Sequence, residues 1–166
     1  KLHLLPNQQV VVYVMMPLVV RLSDGTAPVP MVEVPVTRPS ETWHGDDTIT
    51  GAVCYAGRTH ARLQPELLER RESRAITAIR LHNRGSEPYW VEKLHVPVPR
   101  LALWEDEATG LLHTDSLTVT RQRGDEDVEV HEAPPRPGAR RVAPAREAEP
   151  RVSVLAMLNE FWGGGL

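Results

Sequence analysis

His44 and Asp46 are the pair of neighbouring side chains in this sequence best suited to binding a metal ion. Their spacing of i and i+2, in the loop 43–47, would place an imidazole and a carboxylate on one side of a strand end. A complete site needs further ligands, which only a tertiary contact with a distant histidine could supply. In the alternative interpretation, Asp46 or Asp47 caps backbone amides of a β-turn beside a packed Trp43. A metal-dependent enzyme is therefore an alternative function.

Four aromatic residues suggest a second kind of site, a stacking surface for a sugar. Trp43, Tyr89, Trp90 and Trp104 would form such a surface if their rings lined one face of a sheet. We take Trp43, Trp90 and Trp104 as the candidate binding residues. The alternative is that these rings fill the ends of the core, which is the commoner fate of so few aromatic residues.

Motifs that mark common enzymes are missing from the sequence. There is no GxSxG, P-loop, GxGxxG or CxxC motif, and the histidines form no HxH or HxxxH pair. The acidic clusters 105–107 and 125–127 lie in predicted turns, where carboxylates are solvated and nothing fixes the separation that a glycosidase needs. We therefore favour a non-enzymatic protein and expect no cofactor.

The strongest structural signal is a pattern of strand, polar turn and strand in the middle of the chain. Residues 75–83 alternate, which predicts a strand with Ile79 and Leu81 on one face. Residues 83–88 are turn formers, and residues 89–96 are rich in aromatic and β-branched side chains. The pattern is typical of a central hairpin in a β-sandwich.

The remaining segments also favour strands. Residues 10–16 read as an apolar strand that Pro17 should bend, and Asp24-Gly25 predicts a hairpin turn. We count about eight to ten strands at the spacing of a sandwich or barrel. The predicted fold is all-β: an antiparallel β-sandwich, immunoglobulin-like or jelly-roll-like, with a short helical insertion at Pro65 and a C-terminal helix.

The C-terminal part of the chain differs in composition from the rest. Residues 133–150 alternate proline with arginine and glutamate, so they should form an extended or mobile linker. Residues 151–166 are apolar again, with two adjacent helical stripes of large side chains. We expect residues 1–132 to form the β-sandwich domain and residues 151–166 to form a helix that docks on its own domain or on another chain.

Composition limits the partners and the location. The chain has 166 residues and a formal charge of −3 of mixed sign, so nucleic acid is not an expected partner. The longest apolar run, residues 10–20, is too short to span a bilayer. Cys54 is the only cysteine, which excludes an internal disulfide and favours a reducing, cytoplasmic location. The first residue is not methionine, and we expect further residues upstream.

Several groups of residues resemble known proteins. Residues 79–94 (IRLHNRGSEPYWVEKL) resemble a strand-turn-strand of many immunoglobulin-like sandwiches. Together with residues 43–46 (WHGD), 53–55 (VCY) and 96–101 (VPVPRL), their order is similar to an uncharacterised prokaryotic family, domain of unknown function four-hundred-and-thirty-two. The resemblance implies a β-rich prokaryotic protein and carries no activity or site residues.

Three hypotheses follow from these observations. The first is a non-enzymatic binding or interaction module that forms a homodimer by exchanging its tethered C-terminal helix. Its expected partners are a second copy or another protein. The alternatives are a metal-dependent enzyme built on His44 and Asp46 and a carbohydrate-binding module built on the three tryptophans.

Overall fold

The computed structural model describes residues 2–23, 32–38, 43–44, 52–53, 60–92 and 94–147, with only the backbone described at 43–44 and 52–53. The strands, in chain order, are β1 (Leu2–Leu4), β2 (Gln9–Pro17), β3 (Val19–Leu22), β4 (Val32–Pro35), β5 (Trp43–His44), β6 (Ala52–Val53), β7 (Arg74–Asn83), β8 (Tyr89–Val91), β9 (Leu103–Asp106), β10 (Leu112–Thr114), β11 (Ser116–Gln122), β12 (Asp125–His131) and β13 (Ala139–Ala143). Single turns of 3₁₀ helix lie at Pro65–Leu67 and Val98–Arg100. The described part is therefore mostly β, as predicted.

Strand β7 is the centre of the largest sheet among the described strands. It pairs antiparallel with β2 along its whole length, from Gln9 opposite His82 to Pro17 opposite Arg74. Apolar residues alternate in β7 and fill most positions of β2, so both strands present an apolar face to the core. The two strands predicted here from the sequence are confirmed.

Two short consecutive strands, β10 and β11, share the other edge of β7 and run parallel to it. Asp115 lies between these two strands. On the side away from β7, the strand before it, β10, pairs with β9, and the strand after it, β11, pairs with β12. Strand β13 extends the sheet beyond β9. The sheet is mixed and curled, so the predicted antiparallel arrangement is wrong. The long connection from β7 to β10 permits the parallel crossover, which a tight turn would not.

The predicted central hairpin of residues 75–96 is also wrong. Strand β8 does not pair with β7 but with β1, in a separate two-stranded antiparallel sheet. The buried side chain of Asn83 explains the change of direction, because its Nδ2 donates hydrogen bonds to the carbonyl oxygens of Leu4 (3.1 Å) and Glu87 (2.8 Å). These bonds hold the turn against β1.

Two further small sheets lie in the first third of the chain. Strands β3 and β4 pair antiparallel, with Val19 opposite Pro35 and Leu22 opposite Val32. These are the arms of the hairpin predicted around Asp24-Gly25, whose turn lies outside the described residues. Strands β5 and β6 form the other small sheet.

The core lies on one face of the large sheet. Ile79 and Leu81 of β7 are fully buried beside Leu117 and Val119 of β11. Strands β1 and β8 and the residues 94–101 cover this face. Burial of each such aliphatic side chain stabilises the fold by about 1.5–3 kcal/mol. The covering layer consists of two short strands and irregular chain, and a sandwich of two extended sheets is not confirmed in the described residues.

The segments flanking the sheet differ in part from expectation. The helical insertion predicted at Pro65 is a single 3₁₀ turn. Within the predicted linker 133–150, strand β13 pairs with β9, which is possible because no proline lies between Pro137 and Pro144. The predicted C-terminal helix, residues 151–166, lies outside the described residues. The domain boundaries stay a prediction.

Candidate functional site

The residues predicted to bind a metal lie mostly outside the described part of the structure. His44 belongs to β5, whose backbone pairs with β6 so that His44 lies opposite Ala52 and Trp43 opposite Val53. Asp46 and the side chains of β5 fall outside the described part. Among the described residues, no group of three or more His, Cys, Asp or Glu could hold a metal ion. The site at His44 and Asp46 stays a prediction.

The other two tryptophans of the predicted sugar surface lie in different sheets. Trp90 in β8 is 56% exposed, and its ring stacks on that of His3 with centroids 4.1 Å apart. Trp104 in β9 is half-buried, its Nε1 donates a hydrogen bond to Asp115, and its ring lies 5.8 Å from the guanidinium carbon of Arg141. The two side chains therefore do not form one surface on a common pair of strands.

An open cavity of about 600 Å³ lies at one end of the large sheet, between the turn after β7 and the turn of the β11–β12 hairpin. Three arginines line it: Arg84 from the first turn, Arg121 from the end of β11, and Arg123 from the second turn. The main-chain N–H of Arg84 donates to the carbonyl oxygen of Arg121 at 2.8 Å and joins the two turns. The two turns meet because β7 and β11 are parallel neighbours, so the C-terminal ends of both strands lie at the same end of the sheet.

The wall that carries Arg84 is a tight turn organised by Asn83. Besides its two donated hydrogen bonds, Asn83 accepts one at Oδ1 from the N–H of Gly85 (3.0 Å). A side chain at Gly85 would place its Cβ 3.1 Å from that oxygen, so glycine fits the turn best. The Nε of Arg84 donates to Nδ1 of His82 at 3.4 Å. The turn thus fixes the backbone from which Arg84 extends.

The second wall is a two-residue hairpin loop of Arg123 and Gly124. Their φ angles are 53° and 95°, while Gln122 and Asp125 pair on either side. Two positive φ values in succession are typical of a type I′ turn, which suits the twist of a hairpin. A left-handed conformation costs a side-chain-bearing residue such as Arg123 about 1–2 kcal/mol. Strain of this kind is concentrated at functional sites.

Tyr89 and Glu126 restrict the orientation of Arg121. The guanidinium carbon of Arg121 lies 5.0 Å from the centre of the Tyr89 ring, and its Nη1 lies 3.5 Å from Oε1 of Glu126. The Tyr89 hydroxyl donates to the same Oε1 at 2.6 Å. Burial of the phenol, together with this hydrogen bond and the Glu126 charge, raises the pKa of Tyr89 to about 12. The phenol is therefore a hydrogen-bond donor at neutral pH.

The charge of the cavity differs from that of the adjacent surface. Glu87 is the one acidic residue among the described residues that line the cavity. The neighbouring depression on the β11–β12 hairpin is lined by acidic side chains as well as by Arg84 and Arg123; the acidic ones are Asp125, Glu126, Asp127 and Glu129. An extended polyanion crossing both regions would be repelled by these carboxylates, whereas a small anion would meet mainly the arginines.

A hydroxyl, an imidazole and a carboxylate are also aligned on the β11–β12 hairpin. Oγ1 of Thr118 lies 2.7 Å from Nε2 of His131, and Nδ1 of His131 lies 3.7 Å from Oε1 of Glu129. The order is that of an activated nucleophile, but 3.7 Å is too long for a hydrogen bond. Strand β11 also pairs with β12 on one side and with β7 on the other. Its backbone N–H groups are therefore used in the sheet and are not free to form an oxyanion hole. This arrangement does not support a hydrolase.

The arginine cavity was not predicted from the sequence. Its sequence signal is a repeated dipeptide, Arg84-Gly85 and Arg123-Gly124, which was interpreted only as two turns. The dipeptides lie far apart in the chain. In an antiparallel pair of strands, the ends that carry them would lie at opposite ends of the sheet, so the predicted fold gave no reason to place them together. The signal becomes informative only once β7 and β11 are known to be parallel.

The described structure defines a mostly β protein with an arginine-lined cavity at one end of its large sheet. Over residues 1–158, the chain matches the family described as Protein of unknown function (DUF432). The protein therefore belongs to this family, and the resemblance noted in the sequence is confirmed. No curated protein and no solved structure matches the chain. In the described residues, no helix has both the length and the apolar character needed to cross a membrane.

Proposed function

We propose that the protein is a non-enzymatic binding module that holds a small anion, such as a phosphate or a carboxylate, in the arginine-lined cavity. The observation that carries this proposal is the convergence of Arg84, Arg121 and Arg123, from two turns and the end of β11, on one cavity of about 600 Å³. Guanidinium groups bind carboxylates and phosphates through paired, charge-assisted hydrogen bonds.

The rigidity of the two turns supports binding over a purely structural role. The hydrogen bonds of Asn83 fix the first turn, and the main-chain bond between Arg84 and Arg121 joins this turn to β11. A preorganised cavity loses less conformational entropy when a ligand binds.

The residues that line the cavity support binding without catalysis. Among the described lining residues there is no imidazole, no thiol and no second carboxylate beside Glu87. General acid–base chemistry needs a positioned side chain that exchanges protons, and tyrosine can serve. The pKa of Tyr89, about 12, keeps its phenol protonated, so Glu87 is the one remaining such group among the described lining residues. The cavity has the chemistry to hold an anion and lacks an acid and a base acting together.

Calorimetric titration with inorganic phosphate and with citrate tests the proposal. Because each guanidinium contributes charge-assisted hydrogen bonds, we expect the double variant Arg84→Gln/Arg123→Gln to bind at least about tenfold more weakly than the wild type. The matched control is Arg70→Gln/Arg71→Gln, which removes two exposed arginines outside the cavity. It should leave the affinity unchanged, and added salt should weaken binding to the wild type.

Two results would contradict anion binding at this cavity. The first is the absence of any heat of binding for both probes at millimolar concentration. The second is an equal loss of affinity in the control variant, which would indicate general attraction to surface arginines. Circular dichroism of both variants separates loss of binding from loss of the fold.

A second candidate function, sugar binding, is favoured by one observation. Trp90 exposes 56% of its surface and stacks on His3, which presents a flat aromatic pair to solvent. A glycan array probed with the wild type and with Trp90→Ala tests it, and a blank array would exclude it. Metal binding by His44 and Asp46, a cytoplasmic location and self-association through residues 151–166 stay predictions.

A further inference from the structure

Strands β3 and β4 present an apolar face to solvent. The five aliphatic side chains on it are each between 46% and 58% exposed, and two pairs of them lie directly opposite one another across the strands. We call this face the aliphatic ribbon; it consists of Val20, Leu22, Val32, Val34 and Val36. The opposite face carries the ion pair of Arg21 and Glu33, at 2.8 Å. Contiguous exposed apolar residues of this kind mark an interaction surface.

The described part of the chain ends against the β3–β4 hairpin. Nη1 of Arg146 lies 3.1 Å from Oε2 of Glu33 in β4. The main-chain N–H groups of Arg146 and Glu147 both donate to the carbonyl oxygen of Pro99, at 2.8 and 3.0 Å. The chain therefore enters residues 148–166 on the face of the β3–β4 hairpin that is opposite to the aliphatic ribbon.

The next residues have the composition that the ribbon requires. Within 152–162 there is a single charged residue, Glu160. The large apolar side chains of this stretch are Val152, Val154, Leu155, Met157, Leu158, Phe161 and Trp162. Residues 148–151 separate it from Glu147, and four residues reach up to about 13 Å, which is enough to pass around the edge of one strand.

We infer that residues 152–162 dock on the aliphatic ribbon of their own chain. Burial of apolar surface on both partners provides the driving force. The short tether favours docking within one molecule, since it holds the segment at an effective concentration in the millimolar range. The occupant is thus a segment of the same chain, and the contact is independent of the arginine cavity.

Chymotrypsin cleavage of the intact chain tests this docking, because the enzyme cuts after the leucines and aromatic residues of 152–162 only when the segment is released. The ribbon variant is Val20→Lys/Val34→Lys. We expect its segment to be cleaved about tenfold faster than that of the wild type, at a rate set by the released fraction. The matched control is Leu63→Lys/Leu67→Lys, which changes two exposed leucines outside the ribbon and should match the wild type.

The protection should not depend on protein concentration, and light scattering should give the mass of one chain. Equal cleavage of wild type and ribbon variant would overturn the docking. Protection that is lost on dilution, together with a dimer, would overturn docking within one chain and assign the ribbon to the segment of a second copy. If lysines unfold the ribbon, Val20→Thr/Val34→Thr keeps β-branched residues in the strands and should accelerate cleavage in the same direction.

Discussion

The indole Nε1 of Trp104 donates a hydrogen bond of 2.8 Å to Oδ1 of Asp115, at the point where the large sheet changes its strand partners. Asp115 is fully buried, and its Oδ2 accepts a second bond from the N–H of Ala102 at 2.7 Å. The N–H of Asp115 in turn donates to the carbonyl oxygen of Ala102. At the break between β10 and β11, the Asp115 carboxylate therefore accepts hydrogen bonds from two donors of the adjacent chain, the N–H of Ala102 and the Nε1–H of Trp104.

Replacing Asp115 should destabilise the fold, because its carboxylate accepts two hydrogen bonds in the core. In Asp115→Asn, one of the two donors, Ala102 N–H or Trp104 Nε1–H, must face an amide NH₂ group. A buried donor without an acceptor costs about 1–3 kcal/mol, so the free energy of unfolding in urea should fall by that amount. The control, Asp125→Asn on the exposed hairpin, should change it by less than about 0.5 kcal/mol. A stable Asp115→Asn variant would contradict this role.

The ion pair of Asp106 and Arg136, 2.7 Å long, should make stability fall in acid. Burial raises the pKa of Asp106, but the hydrogen bonds from Ala108 and Thr109 and the Arg136 charge outweigh it and hold the pKa below 3.8. The stabilisation from ionised Asp106 is present above pH 3.8 and is lost as the pH falls through the lowered pKa. The reason is that this carboxylate takes up its proton at a higher pH in the unfolded chain than in the folded chain. The urea midpoint of the wild type should decrease in this range.

The Asp106→Asn variant supplies the comparison for this acid dependence. It has no proton to gain at residue 106, so its urea midpoint should fall less steeply than that of the wild type over the same pH range. Glu107→Gln, at the exposed neighbouring position, is the matched control and should follow the wild type. Parallel curves for Asp106→Asn and wild type would show that the ion pair has no part in acid unfolding.

His113 should destabilise the fold as pH drops below 6.5. Its side chain is buried, and Nε2 has no hydrogen-bond partner among the described residues. Burial and the Arg136 charge lower the pKa of His113 below 6.5, with Asp106 acting in the opposite direction. Between 6.5 and the lowered pKa, the unfolded chain binds a proton that the folded chain does not, so stability decreases with falling pH.

A leucine at position 113 should remove this loss of stability. His113→Leu cannot be protonated, so its thermal unfolding temperature, relative to the wild type, should rise as pH falls through this range. His60→Leu, at an exposed position, serves as the control and should show no such trend. The interpretation fails if the difference between His113→Leu and wild type is the same on both sides of 6.5.

Tyr89 should ionise far above pH 10.0. Its pKa is raised to about 12 by burial and by Glu126, so a late step near pH 12 should appear when the protein is titrated by absorbance. Between the ordinary value of 10.0 and 12 only the unfolded chain loses this proton, so stability decreases with rising pH. Glu126→Gln removes the carboxylate and should move the late step towards 10.0. Tyr89→Phe assigns the step, and a late step that survives in Tyr89→Phe would refute the assignment.

The sequence by itself determined which residues form several of the strands and which face of each is buried. Ile79 and Leu81 are buried as the alternation predicted, and Arg123-Gly124 forms the predicted turn. Side-chain direction in a strand alternates with a period of two whatever the partner strand is, so it can be predicted locally. Membership of the family was also apparent from the order of short motifs.

Strand pairing and the cavity were decided only by the tertiary structure. Asn83 holds the turn before β8 against β1 through its hydrogen bond to Leu4. Asp115 lies where the pairing of β7 passes from β10 to β11, and it bonds to Ala102. Backbone hydrogen bonds between strands do not depend on side-chain identity, so periodicity does not indicate a partner or its direction. Because β7 and β11 are parallel, Arg84 and Arg123 meet at one edge. That proximity has no counterpart in the local sequence.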